Sequence, residues 1–228
     1  MLDWPAATVG HHEEQQMRVT VFGGSGKIGR LVVAQLLADG HDVTAYVRNP
    51  GKLGLWHDRL TVVAGPLSDR DGIMRAVKGS AAVISALGPS IERNAKGSAV
   101  ATGTRNIVAG MSAARVRRYI GLATPSVPDV RDRATLKARV LPIAAKVLFP
   151  NALIEVRAMT EAVTTSDLDW TIARIVDPND KAPKGTWRAG FLGRDRIGST
   201  ISRADVAGFL VSQLTDTTYL KAAPAISN

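Results

Sequence analysis

The sequence predicts an α/β fold of the doubly wound kind, a three-layer αβα sandwich around a mostly parallel sheet. Two observations support this prediction. Short β-branched runs alternate with segments whose apolar residues recur at helical spacing, and a glycine-rich loop directly follows the first run. Strand–helix–strand repeats of this kind fold into right-handed units that place parallel strands side by side and cover both faces of the sheet with helices.

The first half of the chain alternates regularly between the two kinds of element. Arg18 to Phe22 is a β-branched run that predicts the first strand, and Ile28 to Ala38 has the apolar spacing of a helix. Further strands are predicted at 42–47, 60–64, 81–87 and 119–123. Helices are predicted between them, a short one marked by Ile73, Ala76 and Val77 and a long one within 91–114.

The second half is less regular. Helices are predicted at 134–148, with a break or kink at Pro142, and at 152–165, and a sixth strand at 169–174. A long loop with short extended pieces should follow over 177–198. Ser202 is a good N-cap for a helix from Arg203 to Leu214, and Asp205 is favourably placed in its first turn.

Length and residue usage indicate one soluble domain. A chain of 228 residues is long enough to bury a sizeable core, and 45% hydrophobic residues is ordinary for a globular protein. Residues 1–16 are polar and without periodicity, so we expect a flexible leader followed by a single domain over 17–228. No apolar run reaches the roughly 18 residues of a membrane span, and the start does not resemble a secretory signal. The sequence therefore predicts a cytoplasmic protein without membrane association.

Several kinds of site are excluded by residue type. The chain has no cysteine, which excludes disulfides, zinc ribbons, iron–sulfur clusters and thiol nucleophiles. Its four histidines, at 11, 12, 41 and 57, do not have the spacing of metal ligands. We therefore expect no metal.

The charge balance suggests an anionic ligand. Lysine and arginine number 29 against 20 acidic residues, a net charge of +9. Such a surface attracts nucleic acid, acidic membranes or phosphorylated small molecules. The densest basic stretches, 115–118 and 131–139, contain no aromatic residues on which bases could stack. Nucleic-acid binding is therefore disfavoured relative to an anionic cofactor or a plain solvated surface.

The glycine-rich loop predicts a dinucleotide site of the Rossmann type. It contains Gly24-x-Gly26-x-x-Gly29 and, in an overlapping register, Gly23-x-x-Gly26-x-x-Gly29, between a strand and an amphipathic helix. Glycines permit a tight turn and close approach of a pyrophosphate, which the helix N-terminus attracts. The predicted cofactor-binding residues here are Gly23, Gly24, Ser25, Gly26, Lys27 and Ile28. A purely structural turn is the alternative.

Two other site types do not fit the spacing. A P-loop would need a glycine five residues before Gly26, and Ile28 replaces its Ser or Thr. The GxSxG turn of many hydrolases does not occur in the chain.

The end of the second strand selects the cofactor. An NAD site usually has Asp or Glu here to accept a hydrogen bond from the ribose 2′-hydroxyl. This chain has Arg48 and, four residues later, Lys52, which can bind a 2′-phosphate from two sides. We therefore predict that NADP(H) is preferred over NAD(H). A solvated loop arginine is the alternative.

Several stretches together resemble a known family. They are Gly-Gly-Ser-Gly-x-Ile-Gly, Val-Arg-Asn-Pro, and the segments 83–88, 103–108, 166–172 and 202–207. Over about 18–226 the chain resembles the atypical short-chain dehydrogenase/reductases. Within them it is most similar to the NAD(P)H-binding proteins related to flavin reductase/biliverdin reductase B and to NmrA-like proteins.

The resemblance implies further cofactor contacts. In that branch the loop after the fourth strand passes over the cofactor, which here corresponds to Ala86, Leu87 and Gly88. Where the family usually has Gly-Asp beside the adenine, this chain has Gly65 followed by Pro66 and Leu67, so the contact must be backbone or apolar. A serine that faces the nicotinamide corresponds to Thr124, with Ser126 two residues on. A turn residue before a proline is the alternative for Thr124.

The resemblance also sharpens the question of catalysis. Typical short-chain dehydrogenases use Tyr-x-x-x-Lys, in which the lysine lowers the tyrosine pKa. None of the three tyrosines here has a lysine four residues later, which disfavours alcohol dehydrogenation and sugar epimerisation. Biliverdin-type reductases have a histidine where this chain has 155–157, so biliverdin itself is doubtful. Arg157 is a candidate to hold an anionic group of the substrate, with a solvated helix arginine as the alternative.

Two functions remain open. The first is an NADPH-dependent reductase that transfers hydride to a flavin, a quinone or a similar conjugated small molecule, which can be anionic. The second is a non-catalytic, NmrA-like redox sensor that binds NADP(H) and acts through a protein partner. Acceptor specificity should depend on 126–150 and 176–200, and we expect a monomer or homodimer.

Overall fold

The protein is described by a computed structural model, in which residues 16–88, 99–133 and 149–228 are described. The strands are β1 (Arg18–Phe22), β2 (Asp42–Val47), β3 (Leu60–Ala64), β4 (Ala82–Ser85), β5 (Arg118–Ala123), β6 (Asp169–Ile175), β7 (Pro178–Asn179), β8 (Arg188–Gly190), β9 (Ile201–Ser202) and β10 (Ala225–Ser227). The helices are α1 (Lys27–Ala38), α2 (Arg70–Val77), α3 (Ala99–Ala113), α4 (Pro150–Thr164) and α5 (Arg203–Ser212).

Eight of these strands form one sheet in the order β3-β2-β1-β4-β5-β6-β10-β8. All neighbours are parallel except β8, which is antiparallel to β10. The strand order reverses at β1, which has β2 on one side and β4 on the other. In an open parallel sheet this reversal leaves a crevice at the carboxyl ends of the two central strands, where ligands bind. The predicted doubly wound α/β fold is confirmed.

Helices cover both faces of the sheet. On one face, α1 and α5 bury apolar side chains such as Val33, Leu36 and Phe209, and on the other α2, α3 and α4 bury Ile107 and Val156 among others. Each such fully buried side chain contributes about 1.5–3 kcal/mol relative to exposure. These two apolar layers are the core and fix the three-layer arrangement.

Most predicted elements of the first half are confirmed. Strands β1, β2 and β3 have the predicted bounds, while β4 is shorter, ending at Ser85. Helix α2 begins at Arg70, earlier than its apolar residues indicate, because the Asp69 carboxylate caps it by accepting from Gly72 N (2.8 Å). Helix α3 is described from Ala99. Residues 1–15 of the leader predicted at 1–16, and the helix predicted at 134–148 with its break at Pro142, lie outside the described residues.

The second half has two strands that the sequence analysis missed, β10 and the two-residue β9. β10 pairs with β6 and extends the sheet beyond it. The predicted cap of α5 is confirmed, because Ser202 Oγ accepts from Asp205 N at 3.0 Å, and the helix ends at Ser212 rather than Leu214. The loop after β6 contains the expected extended pieces, of which β7 pairs with β9 in a small second sheet. Among the described residues, no helix is both long and apolar enough to cross a bilayer.

Candidate functional site

The glycine loop connects β1 to α1 at the mouth of the crevice. Gly23 has φ +76°, a conformation that favours glycine, and its carbonyl accepts from Gly26 N at 2.9 Å. A Cβ on Gly23 would lie 2.9 Å from the carbonyl carbon of Ala86, and one on Gly29 would lie 2.1 Å from Gly23 O. The loop is therefore folded so tightly against itself and against the end of β4 that side chains at these positions do not fit.

The start of α1 is suited to an anion. Its N-cap is Gly26, and within the described part of the chain no side chain caps it and no acidic residue lies in its first turn. The first N–H groups of a helix have no partner within the helix, and its dipole adds partial positive charge there. A phosphate group fits this end of the helix. Gly26 and Lys27 are exposed, whereas Ser25 and Ile28 are half-buried.

Ala86, Leu87 and Gly88 lie across the crevice from the glycine loop. Ala86 N donates to Phe22 O at 2.9 Å, which continues the pairing of β1 and β4 past the end of the strand. Ala86 and Leu87 are half-buried, and Gly88 is exposed. The structure thus brings together the two segments for which the sequence predicts cofactor contacts.

Pro66 and Leu67 follow β3 at the same edge of the sheet. The Pro66 carbonyl accepts from the Tyr46 hydroxyl at 2.9 Å, and the Leu67 carbonyl accepts from Asn106 Nδ2 at 2.8 Å. The Leu67 side chain packs on α3, where a Cβ on Gly103 would lie 2.6 Å from it. Each carbonyl keeps a second lone pair, so this arrangement is compatible with either a backbone or an apolar contact to an adenine ring. Sequence analysis missed the roles of Tyr46 and Asn106.

Arg48 and Lys52 lie on the turn that follows β2. The turn is a short 3-10 helix, Pro50–Lys52, held by the Asn49 side chain, which accepts from Gly51 N at 3.1 Å. Both basic side chains are exposed, and neither has an ion-pair partner within the described residues. They lie at the carboxyl edge of the sheet with the glycine loop, which is compatible with a shared anionic ligand.

Thr124 and Ser126 form a hydroxyl pair after β5. Their side-chain oxygens are 2.6 Å apart, and the Thr124 carbonyl accepts from Val127 N at 3.0 Å. Thr124 is half-buried and Ser126 is buried. Because only one of the two hydroxyl hydrogens is needed between them, the other remains to donate to a further group. The turn and the site role predicted for Thr124 are both compatible with this geometry.

On α4, Arg157 is exposed to solvent, whereas Glu155, two residues earlier, is buried. Arg157 is exposed, and no hydrogen bond joins it to another described residue. Glu155 is buried, and its Oε1 accepts from Val100 N (2.8 Å) and Ala101 N (3.4 Å) at the start of α3. The substrate role of Arg157 stays a prediction. The sequence analysis assigned no role to Glu155. The feature that could have indicated one is its position as a lone carboxylate among apolar residues on the inward face of α4.

Arg174 joins the two segments predicted to govern acceptor specificity. It ends the buried part of β6, is 0% exposed, and donates to both oxygens of Asp132, at 2.5 and 2.7 Å. Asp132 also accepts from Asp129 N (3.0 Å) and Leu192 N (2.9 Å). Burial alone would raise the pKa of Asp132, but the hydrogen bonds from Arg174 and from these two amides outweigh it and lower that pKa. Within the described residues, the segments 126–150 and 176–200 are therefore joined by hydrogen bonds to the carboxylate of Asp132.

A second carboxylate anchors the end of the chain to the later loop. Asp205 accepts from Lys184 N (3.0 Å), Gly185 N (2.9 Å) and Ser202 Oγ (2.6 Å), and from the Asn228 amide. Burial opposes its charge, but these hydrogen bonds outweigh the burial and lower its pKa. The loop at 184–185 is thereby fixed to the first turn of α5.

Three arginines of the densest basic stretches make contacts within the protein. The guanidinium of Arg117 binds Asp169 at 2.9 Å, and that of Arg118 donates to the Gln213 carbonyl at 2.6 Å. Arg131 pairs with Asp129 (3.1 Å) and lies over the ring of Phe191. Of the described basic residues in these stretches, Arg117, Arg118 and Arg131 thus take part in contacts within the protein. Within the described ranges, no three His, Asp or Glu residues come together in a group that could hold a metal ion.

Solved structures with the same fold include two that extend over nearly the whole chain. A short-chain dehydrogenase/reductase from Veillonella parvula, in complex with NADP, has a TM-score of 0.69 at 21% identity and covers 93% of this chain and 94% of its own. ChuY from Escherichia coli, an anaerobilin reductase, has a TM-score of 0.72 at 19% identity. The match covers 92% of this chain and 96% of ChuY. At these identities the likeness shows the fold alone.

A curated relative matches part of the chain more closely in sequence. The 3-beta-hydroxysteroid dehydrogenase of Mycolicibacterium neoaurum is 34% identical over 120 residues, which is 48% of this chain and 32% of the relative. The match thus spans about a third of that protein's length. The family model described as NAD(P)H-binding matches residues 23–217, beginning within the glycine loop. The chain therefore belongs to the NAD(P)H-binding family, as the glycine loop and the motifs around it predict.

Proposed function

We propose that the protein is an NADPH-dependent reductase that transfers hydride to a flavin, a quinone or a similar conjugated small molecule. The observation that most supports this is the tightly folded glycine loop at the β1–β4 crevice, which leads into an α1 N-terminus without an acidic residue in its first turn. Membership of the NAD(P)H-binding family and the fold shared with an NADP complex agree with it.

In this proposal different residues of the crevice bind different parts of the dinucleotide. The glycine loop and the α1 N-terminus bind the pyrophosphate, and Arg48 and Lys52 bind the 2′-phosphate. The segment 86–88 lies along the path to the nicotinamide, and Pro66 offers an apolar surface to the adenine. When bound, the nicotinamide supplies the hydride.

Two tyrosine hydroxyls are hydrogen-bonded to backbone carbonyls and the third tyrosine is buried, which supports a reaction that needs no tyrosine acid. The hydroxyls of Tyr46 and Tyr219 donate to the carbonyls of Pro66 and Ala189, each at 2.9 Å. Tyr119 is buried within the core, and burial raises its pKa to about 12. None is placed to exchange a proton with a substrate at neutral pH.

An electron-poor conjugated ring can accept hydride directly and take its proton from water, so the protein has mainly to orient two rings and exclude side reactions. In this proposal the Thr124–Ser126 pair donates a hydrogen bond to a carbonyl of the nicotinamide or of the acceptor. Arg157 remains a candidate for an anionic substituent of the acceptor.

The test is the rate of NADPH absorbance loss with FMN, riboflavin and a small panel of quinones, with NADH run in parallel. We expect multiple turnovers with at least one acceptor and a higher kcat/KM with NADPH than with NADH. Tight NADPH binding without turnover on any acceptor would contradict a reductase.

The second candidate is a non-catalytic, NmrA-like NADP(H) sensor that acts through a protein partner. The engaged tyrosines favour it as much as they favour tyrosine-independent reduction. It predicts nucleotide-dependent capture of a partner, and efficient multiple turnover would argue against it.

A prediction about cofactor choice follows from the exposed pair after β2. Replacing Arg48 by alanine should weaken NADPH binding about ten- to hundredfold, since a hydrogen bond to a charged group is worth about 1.5–3 kcal/mol. NADH binding should be unchanged because NADH has no 2′-phosphate. Lys52→Ala should act in the same direction. The measurement is the Kd for each nucleotide by calorimetric titration.

The matched control is Arg75→Ala, which removes an exposed arginine in the last turn of α2. It should leave both constants unchanged. Equal losses for NADPH and NADH in Arg48→Ala would show that this residue does not read the 2′-phosphate.

A further inference from the structure

An ion pair joins the glycine loop to the segment after β6. Lys27 Nζ, at the first residue of α1, lies 3.2 Å from Asp180 Oδ2. The other oxygen of the same carboxylate, Oδ1, accepts from Arg203 Nη1 at 2.6 Å, at the first residue of α5. Asp180 therefore bridges the N-termini of two helices that pack side by side.

The carboxylate lies where the site would otherwise attract an anion. The first turn of α1 contains no acidic residue of its own, so its positive end and the Lys27 ammonium attract negative charge. Asp180 supplies that charge from 153 residues further along the chain. The hydrogen bonds from Lys27 and Arg203 lower the pKa of Asp180, whose carboxyl is ionised at neutral pH even at its ordinary pKa.

The backbone next to Asp180 is fixed on both sides. Before it, β7 pairs with β9, which brings Asp180 close to Arg203. After it, the amides of Lys184 and Gly185 donate to Asp205. Between these anchors, the Asp180 side chain contacts Lys27 and Arg203, and the Lys181 amide donates to Asn179 Oδ1 at 3.0 Å.

We propose that Asp180 is a placeholder for the nucleotide pyrophosphate, an inference that rests on the proposed function. In the free protein it neutralises Lys27. The pyrophosphate carries two negative charges, repels the carboxylate and takes over the ammonium, so the Lys27–Asp180 pair breaks when NADPH binds. The segment 180–183, part of the region expected to shape the acceptor site, then loses its tie to α1, and its Asp180 side chain is held by Arg203 alone. Nucleotide binding is thereby coupled to binding of the acceptor and precedes it.

The exposure of the pair makes this exchange feasible. The side chains of Lys27 and Asp180 are 66% and 65% exposed, and ion pairs of such exposed groups are weak. Asp180→Asn should therefore bind NADPH about three- to tenfold more tightly than the wild type at low salt, because the competing charge is gone. The difference should shrink at high salt, where charges are screened.

The test is calorimetric titration of NADPH into the full chain, as wild type and as Asp180→Asn, at low and high salt. Asp58→Asn is the matched control, since Asp58 is exposed, lies before β3 at the opposite edge of the sheet, and gives the same change in net charge. It should leave the NADPH affinity unchanged. In parallel, NADPH should increase amide exchange in a peptide covering 177–187 of the wild type, and change it little in Asp180→Asn.

Two failures can be told apart. If the wild type binds NADPH and Asp180→Asn binds it equally, Asp180 does not compete with the nucleotide; if the variant binds it more weakly, Asp180 positions Lys27 for the nucleotide. Either result overturns the placeholder. If the wild type binds no NADPH at all, the proposed function fails and the coupling fails with it.

Discussion

Replacing Gly29 by alanine is expected to lower the affinity for NADPH at least about a hundredfold. The new Cβ would lie 2.1 Å from Gly23 O and 2.7 Å from Gly23 C, and both are backbone atoms that cannot rotate away. Inserting a methyl group into such a close contact costs about 1–3 kcal/mol in the fold alone. The loop must move off α1, which displaces the N–H groups that are proposed to bind the pyrophosphate. The measurement is the Kd for NADPH by calorimetry together with the midpoint of thermal unfolding.

Gly110→Ala serves as the control for the substitution itself. Gly110 lies inside α3, and a Cβ there would approach the Ile73 side chain at 3.1 Å, a contact that a side chain can relieve. The alanine also favours the helix by up to about 1 kcal/mol. NADPH affinity should be that of the wild type. Wild-type affinity in a folded Gly29→Ala chain would show that the loop does not hold the pyrophosphate.

Replacing Asp132 by alanine is expected to destabilise the fold by about 3–5 kcal/mol, because the fully buried Arg174 is left without a counter-charge. The amides of Asp129 and Leu192 also lose their acceptor. For a chain of this length about 1 kcal/mol corresponds to 2–4 °C, so the midpoint of thermal unfolding should fall by about 6–20 °C. Chemical denaturation gives the free energy of unfolding directly.

The pH dependence follows from the lowered pKa of Asp132. A carboxyl whose pKa is lower in the folded than in the unfolded state stabilises the fold above its unfolded pKa of about 3.9, and this contribution is lost as the pH falls through the folded value. The difference in stability between wild type and Asp132→Ala should therefore be full at neutral pH and should shrink below about pH 4.

Two comparisons separate burial from charge pairing. Asp169→Ala removes half of the Arg117–Asp169 pair, whose side chains are 62% and 33% exposed, and should cost less than about 1 kcal/mol. The apolar pair Asp132→Leu with Arg174→Met should be more stable than Asp132→Ala alone, since no buried charge remains unpaired. An Asp132→Ala chain as stable as Asp169→Ala would contradict the structural role of the buried pair.

Local sequence signals were sufficient for the central strands and the glycine loop. β1 and β2 consist mainly of β-branched and apolar residues at positions that the sheet buries, and the edge strand β3 has the same residue types although none of its residues is fully buried. The glycines have the spacing that the turn requires. By contrast, β10 contains only Ala225, Ile226 and Ser227, and its extended form depends on pairing with β6 about fifty residues earlier. A run this short has no recognisable period.

The parts of the candidate site that the sequence analysis missed depend on contacts between distant residues. Arg174 and Asp132 are 42 residues apart, and Glu155 lies 55 residues from Val100. An isolated carboxylate on a helix or loop looks the same in sequence whether it faces solvent or caps another helix. Only the packing of α3 against α4, and of the loops after β5 and β6, distinguishes the two.

Calorimetric titration of the wild-type chain with NADPH and NADH tests the central claim most directly, because both candidate functions require the nucleotide at the β1–β4 crevice. We expect one nucleotide per chain, with NADPH bound at least tenfold more tightly than NADH. Saturating NADPH should also raise the unfolding midpoint, since ligand at a hundred times its Kd adds about 2.7 kcal/mol of stability. No heat of binding and no shift of the midpoint with either nucleotide would contradict the account.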